Sequence, residues 1–480
     1  MLGEEKVIQF LKTNASMLGS IGAGFALFTI LAWLTWRAEK SRKLISNFYR
    51  EPGFAWHLGL IRVVTFTAVF LGLDLASTMA FVNKGMEAQH LPQPWGLFMN
   101  QVPTSPEVMT TLFWTLKGLA ILGILGLGSR VVAAATCLIS LYFFGIRNSY
   151  GVVEHSHLIV WFTLILALSR SGDALSLDAL LAKRRGIPTP SAPSVAYGAP
   201  IRWFWTLTGI IYFFPGLWKL CIGGLAWLSP INLQSYSYNM VQEPNNPILF
   251  PIYPYPVLAV IGAVFTIALE IGYIFAVLDK RTRNLAFLSA AGFHVGIFLT
   301  LGIDFLILAA LNLAFLDWPA LLARFQKVSL PQPMPTAWSP RRLNQVVGAL
   351  AVGCLGFGLL HRVEAWPVAC YPTFAKPMDG KMYRIEAEMP DGSVIPLSKH
   401  KSSMSRNETR KETVRIIDPT NPASQMQAEY LWAKKAQELG TTETPYSISV
   451  VKYEVDFKTG SLQKQSYIAI NGPWSNMARK

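Results

Sequence analysis

The sequence predicts an all-α polytopic membrane bundle of about ten spans, followed by a small α+β domain outside the membrane. Three observations predict it. First, 52% of the 480 residues are hydrophobic, only 15% are charged and the mean hydropathy is +0.34. A soluble fold of this composition would be left with a very greasy surface, so a soluble enzyme is excluded. Second, apolar stretches long enough to cross a bilayer, roughly 20 residues each, recur along the first 360 positions with almost no charge. Third, the composition changes abruptly after His361, where polar and apolar residues begin to alternate. The formal charge of +14 would suggest nucleic acid in a soluble chain. Here the basic residues cluster in short loops between apolar runs, where they orient helices, and nucleic acid is not an expected partner.

The first run, Met17 to Trp36, is followed by Arg37, Lys40, Arg42, Lys43 and Arg50, whereas Glu4, Glu5, Lys6 and Lys12 balance one another before it. A cleavable signal peptide carries its positive charge ahead of the apolar stretch, so this run reads as a permanent helix with the N-terminus outside. Further spans are expected at 58–82, 109–128, 131–147, 152–169, 200–221, 255–279, 284–302, 303–320 and 343–361. Ten spans put Arg37 to Arg50, Arg130, Lys183 to Arg185, Lys280 to Arg283 and Arg324 to Arg342 on the cytoplasmic side, as the positive-inside rule requires. The alternate loops, such as Leu91 to Trp95 and Trp227 to Tyr255, are poor in Lys and Arg and rich in Trp, Tyr and Pro, as an outer interfacial belt is. Both termini then lie outside. Asp304 interrupts one long run, and merging 284–302 with 303–320 would flip the tail inward. The expected organisation is a helix and cytoplasmic loop over 1–50, a membrane domain over 51–335, a last span within 336–361 and an extracytoplasmic domain over 362–480.

In that last domain, Met382 to Met389 and Tyr446 to Phe457 alternate as strands, and Ala423 to Leu439 reads as a helix. Lys458-Thr459-Gly460 can turn the second strand into Ser461 to Ile470 as a hairpin, while Lys399 to Arg415 reads as a polar loop. Of the four cysteines, Cys137, Cys221 and Cys354 lie in or beside apolar segments and Cys370 in the tail; no CxxC pair or disulfide framework is evident.

Charge at membrane depth is costly, so an ionisable residue there is a functional candidate unless it snorkels from a helix end. Arg62 and Lys117 lie near span ends and are expected to snorkel. Asp74 and Glu270 lie deeper, as helix-packing carboxylates or as parts of a site. His155 and His157 open the fifth span; two positions apart, they point to different faces of a helix and make a poor metal pair, and no metal is expected. His294 is flanked by small residues that would let another helix approach closely. The most informative stretch is Ile210 to Leu220, where an amine follows an aromatic run and Tyr212, Pro215 and Lys219 share one helical face. Lys219 is either an interfacial amine beside the anchoring Trp218 or a catalytic base, since desolvation favours a neutral amine that takes a proton near neutral pH.

Three segments together resemble the membrane part of the vitamin K-dependent gamma-carboxylases and their bacterial relatives, the HTTM (horizontally transferred transmembrane) domain proteins. They are His155-Ser156-His157-Leu158 with Ser176-Leu177-Asp178; Tyr212-Phe213 through Gly216, Lys219-Leu220 and Trp227; and Leu269-Glu270 through Arg281-Thr282-Arg283 to Phe293-His294. The similarity spans roughly residues 50–325. It implies catalytic roles for Lys219, His155 and His294, and a pocket that includes Tyr212, Trp218, Glu270 and His157. It also implies a reduced, vitamin K-like quinone as cofactor with oxygen and carbon dioxide as cosubstrates, membrane lipid around the bundle, and a protein or peptide substrate outside the cytoplasm. In the carboxylases the lysine matched by Lys219 is the base that deprotonates the quinol, and the histidine matched by His155 supports charge near the reacting oxygens. This chain departs from that pattern. Trp218-Lys219 stands where the carboxylases have two lysines, Val295-Gly296-Ile297 replaces polar residues, and only residues 362–480 stand where the carboxylases have a large luminal portion. The competing reading is a non-enzymatic anchor or partner-binding scaffold for the exported domain in a bacterial inner membrane. A transporter is disfavoured because no internal repeat or pair of matched broken helices is visible.

Overall fold

A computed structural model describes residues 39–83, 100–150, 156–242, 246–334, 339–359, 365–368, 375–397 and 422–471, with a few positions between 85 and 96. The expected span Met17 to Trp36, the polar loop Lys399 to Arg415 and Cys370 lie outside the described residues. Contacts divide the chain into two units. One comprises residues 1–222, 266–294 and 305–375, the other residues 223–265, 295–304 and 376–480.

The first unit is a bundle of apolar helices. In chain order these are α1 (Glu39–Arg50), α2 (Ala55–Gly72), α3 (Leu75–Val82), α4 (Pro106–Leu125), α5 (Ser129–Asn148), α6 (His157–Ala167), α7 (Leu177–Arg184) and α8 (Val195–Trp218). Helix α8 packs against α1, α2 and α6, and most of its side chains are buried, as expected of a helix that is apolar all round. Helix α4 shows the opposite behaviour. Only 28% of its most apolar stretch is buried, and Trp114, Ile121, Leu122 and Leu125 remain exposed. Apolar surface left uncovered over a helix of that length is surface made for lipid.

Seven helices are long and apolar enough to cross a membrane, or eight if a bent pair is one span, so the expected count of ten is not reached among the described residues. The segment expected at 152–169 forms the helix α6, His157–Ala167, which is shorter than a bilayer crossing needs. The span expected at 58–82 is two helices, α2 and α3, broken at Leu73 and Asp74. Asp74 is exposed and caps α3, accepting from Ser77 N at 3.1 Å, so it is a helix-break residue rather than a deep carboxylate. Lys117 does not snorkel: its Nζ donates to the Phe70 carbonyl at 2.5 Å, satisfying one of the orphan acceptors at the end of α2. Arg62 does not snorkel either. It is fully buried and donates to the carbonyls of Ser171, Ala174 and Leu175, tying α2 to the turn before α7. Beside it the Asp178 carboxylate accepts from Gly128 N, Ser129 N and Ser129 Oγ, each at 2.8 Å, and so caps α5. Burial works against its charge, yet these bonds and the nearby Arg62 hold its carboxyl below the usual range.

The chain continues through α9 (Pro230–Val241), α10 (Pro256–Ala276), α11 (Arg283–Leu301), α12 (Leu306–Phe315), α13 (Trp318–Gln326) and α14 (Arg341–Leu359). Between α11 and α12 the backbone turns at Gly302, with φ of +65°, so 284–302 and 303–320 are separate helices. Helices α12 and α13 form the bent pair, meeting at 58°. Helix α14 packs against α8.

The second unit holds the α+β fold. Strands β1 (Lys381–Glu388), β2 (Val394–Pro396), β3 (Ser447–Asp456) and β4 (Ser461–Asn471) form an antiparallel sheet in the order β2-β1-β3-β4. Helix α15 (Pro422–Leu439) lays Ala428, Leu431 and Trp432 onto Ile385, Ala387, Met389, Leu397 and Ile448. The two long strands, the helix and the hairpin fall where periodicity put them. Three-residue β2 is too short to show any period and was not expected. Helix α9 belongs to this unit. Its Asn232 Oδ1 accepts from Met378 N at 2.9 Å, its Ser235 Oγ from Gly380 N at 3.1 Å, and its Tyr238 OH donates to the Gly460 carbonyl at 2.9 Å.

Candidate functional site

The candidate site begins with the local backbone around Pro215. Proline has no N–H to give the Ile211 carbonyl, which weakens the α-helical ladder at this point. The α-helix ends at Trp218, and Lys219–Gly223 continue as one π-helical turn, a backbone form that recurs at functional sites. Lys219 therefore opens a widened turn rather than sitting in a regular helix.

Two glycines bring α10 close. A Cβ on Gly209 would lie 2.9 Å from Ile274 Cγ1, and one on Gly216 would lie 2.8 Å from Glu270 Cβ. The glycines are seven residues apart, two turns on one face, and their partners are four apart in reverse order. Helices α8 and α10 therefore run antiparallel along a seam that admits no added side chain at these two points. Tyr212 and Lys219 lie on the same seam. The Tyr212 and Tyr273 rings pack with centroids 4.6 Å apart, and Lys219 Nζ donates to both oxygens of Glu270, at 2.5 and 2.6 Å.

Both partners of that pair are buried, Lys219 to 5% exposure and Glu270 to 6%. Taking two charges out of water costs several kcal/mol per ion, and short bidentate geometry is what offsets it. One amine with one carboxylate also has no surplus charge, so a proton can move between them without creating a net charge in apolar surroundings.

A second polar group lies one helix turn and more away along α8. Tyr212 OH is 2.5 Å from His294 Nε2. Asn312 Nδ2 donates to Tyr212 OH at 3.0 Å and to the Leu308 carbonyl at 2.8 Å, and Tyr273 OH donates to Asn312 Oδ1 at 2.8 Å. All four side chains are buried. The Phe305 ring stands edge-on to His294 at 5.7 Å.

The structure thus joins Lys219 to Glu270 and Tyr212 to His294. His155 lies outside the described residues. His157 is fully buried, with its ring edge-on to Trp161 at 4.6 Å. Trp218 is part-buried and donates its indole N–H to the Gly358 carbonyl of α14 at 2.7 Å. The small residues around His294 do not serve the close approach expected of them: an added Cβ at Gly292 or Gly296 meets nothing within 4 Å among the described residues. The approach glycines are Gly209 and Gly216 instead. Among the described residues no three His, Cys, Asp or Glu side chains gather as metal ligands would.

Residues 49–317, more than half of the chain, match the HTTM domain family. The chain belongs to the HTTM family. No curated protein and no solved structure matches it. The HTTM segment contains every member of both polar groups, Lys219, Glu270, Tyr212, Tyr273, His294 and Asn312. With apolar helices of membrane-crossing length, it makes this a multi-pass membrane protein. Two members of the HTTM polar chain, Asn312 and Tyr273, were not anticipated. Asn312 carried a signal, being the one amide in the otherwise apolar Leu306–Phe315, since an amide at that depth needs partners. Tyr273 carried none, because a tyrosine within an apolar helix reads as packing.

Proposed function

We propose that this HTTM protein is a membrane enzyme of gamma-carboxylase-like, quinol-linked chemistry, with Lys219 and Glu270 as its proton-handling pair. The buried bidentate contact between them is the observation that carries the reading. Such a pair gives up or takes one proton without leaving an isolated charge, which is what an acid–base centre in an apolar bundle requires.

The donor set fits a reduced, vitamin K-like quinone. An amine–carboxylate pair, a phenol and an imidazole suit its hydroxyl and carbonyl oxygens, and the aromatic rings of Tyr212 and Tyr273 suit its flat apolar body. When bound, the quinol would supply an ionisable hydroxyl and reducing equivalents, with oxygen and carbon dioxide as cosubstrates. Lys219, relieved of its proton by Glu270, would be the base toward that hydroxyl. Tyr212 and His294 would orient an oxygen and supply hydrogen bonds to it, and the surrounding apolar helices keep bulk water away. His155 is assigned the charge-supporting role that the resemblance implies, and Trp218 and His157 are assigned to the walls of the pocket. The membrane is proposed to be a bacterial inner membrane, with the α+β domain outside the cytoplasm and a protein or peptide substrate reaching the site from that side. The basic loops favour that orientation.

Purified protein in lipid nanodiscs tests the reading. A quinone should copurify, detected by mass spectrometry, and added quinol should be oxidised in the presence of oxygen. Lys219→Ala should lower that rate by about 10²-fold or more, the usual scale for loss of a positioned acid or base. Wild-type protein that neither retains a quinone nor oxidises quinol would sink the proposal.

A second reading rests on helix α9, whose side chains bond the backbone of the C-terminal domain at three points. A scaffold that displays this domain to a partner would need that docking and not Lys219. Under it, Asn232→Ala with Ser235→Ala disturbs the phenotype while Lys219→Ala is silent.

A further inference from the structure

The four-membered chain Tyr273, Asn312, Tyr212 and His294 has a direction that donor and acceptor chemistry fixes. The Leu308 carbonyl can only accept, so the atom of Asn312 that faces it at 2.8 Å is the amide nitrogen. The nitrogen's second hydrogen then points to the Tyr212 oxygen at 3.0 Å. The amide oxygen, on the other side, takes the Tyr273 hydroxyl hydrogen at 2.8 Å. With its oxygen already receiving a hydrogen from Asn312, Tyr212 has its own hydroxyl hydrogen left for the remaining contact. That contact is His294 Nε2, at 2.5 Å.

We propose that Asn312 is a positioning residue that sets the protonation pattern of His294, turning the Tyr212 hydroxyl hydrogen onto Nε2 and so holding His294 as the neutral tautomer protonated at Nδ1. In that state Nε2 is a base aimed at a phenol, and the ring's only N–H is directed away from Tyr212. Each of the four groups is buried, so water does not compete for these bonds. The inference stands on the hydrogen-bond geometry and does not depend on a quinone or on Lys219.

The test is nitrogen-15 NMR on the full chain in nanodiscs, with histidine labelled in both ring nitrogens. His294→Gln identifies the signal among the seven histidines. Wild-type protein should show His294 with a protonated Nδ1 and an unprotonated Nε2. Asn312→Leu keeps the size and removes the amide, so Tyr212 becomes free to donate or accept, and the two ring nitrogens should move toward averaged shifts as both tautomers populate. Tyr273→Phe removes only the hydrogen bond into the amide oxygen; it leaves the Leu308 contact intact and should keep the wild-type pattern. A change in packing alone would not exchange the protonated nitrogen. A wild-type spectrum with the proton on Nε2 overturns the proposal even if the variants fail to fold, and so does an Asn312→Leu spectrum identical to wild type.

Discussion

Glu51 and Glu270 are both carboxylates held among helices by cations, and they differ in the arithmetic of charge. Glu51, just before α2, meets Arg202 at 3.0 Å, Arg283 at 3.1 Å and Lys280 at 3.3 Å. Arg202 and Arg283 are buried and both lie over the Trp205 ring, at 4.5 and 4.9 Å. Glu270 meets one amine. Three cations around one carboxylate fix it as an anion, because every change of its protonation leaves more uncompensated positive charge. One amine against one carboxylate leaves the proton free to sit on either. The first arrangement locks three segments of chain, the α1–α2 connection, α8 and α11; the second can do acid–base work.

The lock should show the largest effect on stability. Glu51→Ala strands two buried guanidiniums, and removing one partner of a buried pair costs about 3–5 kcal/mol. Thermal unfolding in detergent should report a loss at that scale, with no rescue from a second substitution at Arg202 alone, because Arg283 stays unpaired.

The Lys219–Glu270 pair should instead be closed by two substitutions. Lys219→Met or Glu270→Leu alone should each cost about 3–5 kcal/mol, while the double variant recovers most of it, because replacing a whole buried pair by apolar side chains is often neutral. Additive losses in that cycle would show that the two groups are not coupled, and the contrast with Glu51 would fail.

Gly216→Ala should be milder. The new methyl would sit 2.8 Å from Glu270 Cβ, so α10 has to shift, and overpacking of this kind costs about 1–3 kcal/mol. The quinol-oxidation rate should fall by more than the stability loss explains, since a small displacement at a site of acid–base groups is felt strongly. Gly292→Ala, which meets nothing within 4 Å among the described residues, is the control and should leave both unchanged.

Much of the fold was legible because its signals are periodic. The alternation of Tyr446 to Phe457 found β3, and the apolar runs found the positions of most helices. What periodicity does not carry is the end and the break. Asp74 looked like a deep carboxylate because the run 58–82 is unbroken in hydropathy, yet it caps a second helix. Arg62 looked like a snorkelling residue because only its distance from the span end was visible; its three carbonyl partners lie more than a hundred residues away in sequence. In the site, the aromatic and amine spacing of Tyr212 and Lys219 pointed to one face, but their partners on α10 and α12 are tertiary facts. Gly209 and Gly216 carried the clue to the seam, at a seven-residue spacing that was open to reading beforehand.

The smallest effect is the one that separates the two carboxylates by pH. Although burial alone would raise the Glu51 pKa, Arg202, Arg283 and Lys280 together bring it from the ordinary 4.5 down to about 2. A carboxyl whose folded pKa is depressed adds stability above its unfolded pKa and loses it as pH falls through the window between the two, here from about 4.5 to about 2. Between pH 7 and pH 4 the loss is therefore only about 1 kcal/mol, read as a small drop in unfolding temperature. Glu51→Gln, which cannot titrate, should be flat over the same range, so the wild-type curve minus the variant curve isolates the lock. A variant that declines as steeply as wild type would assign the acid sensitivity to other carboxylates and remove Glu51 from the comparison.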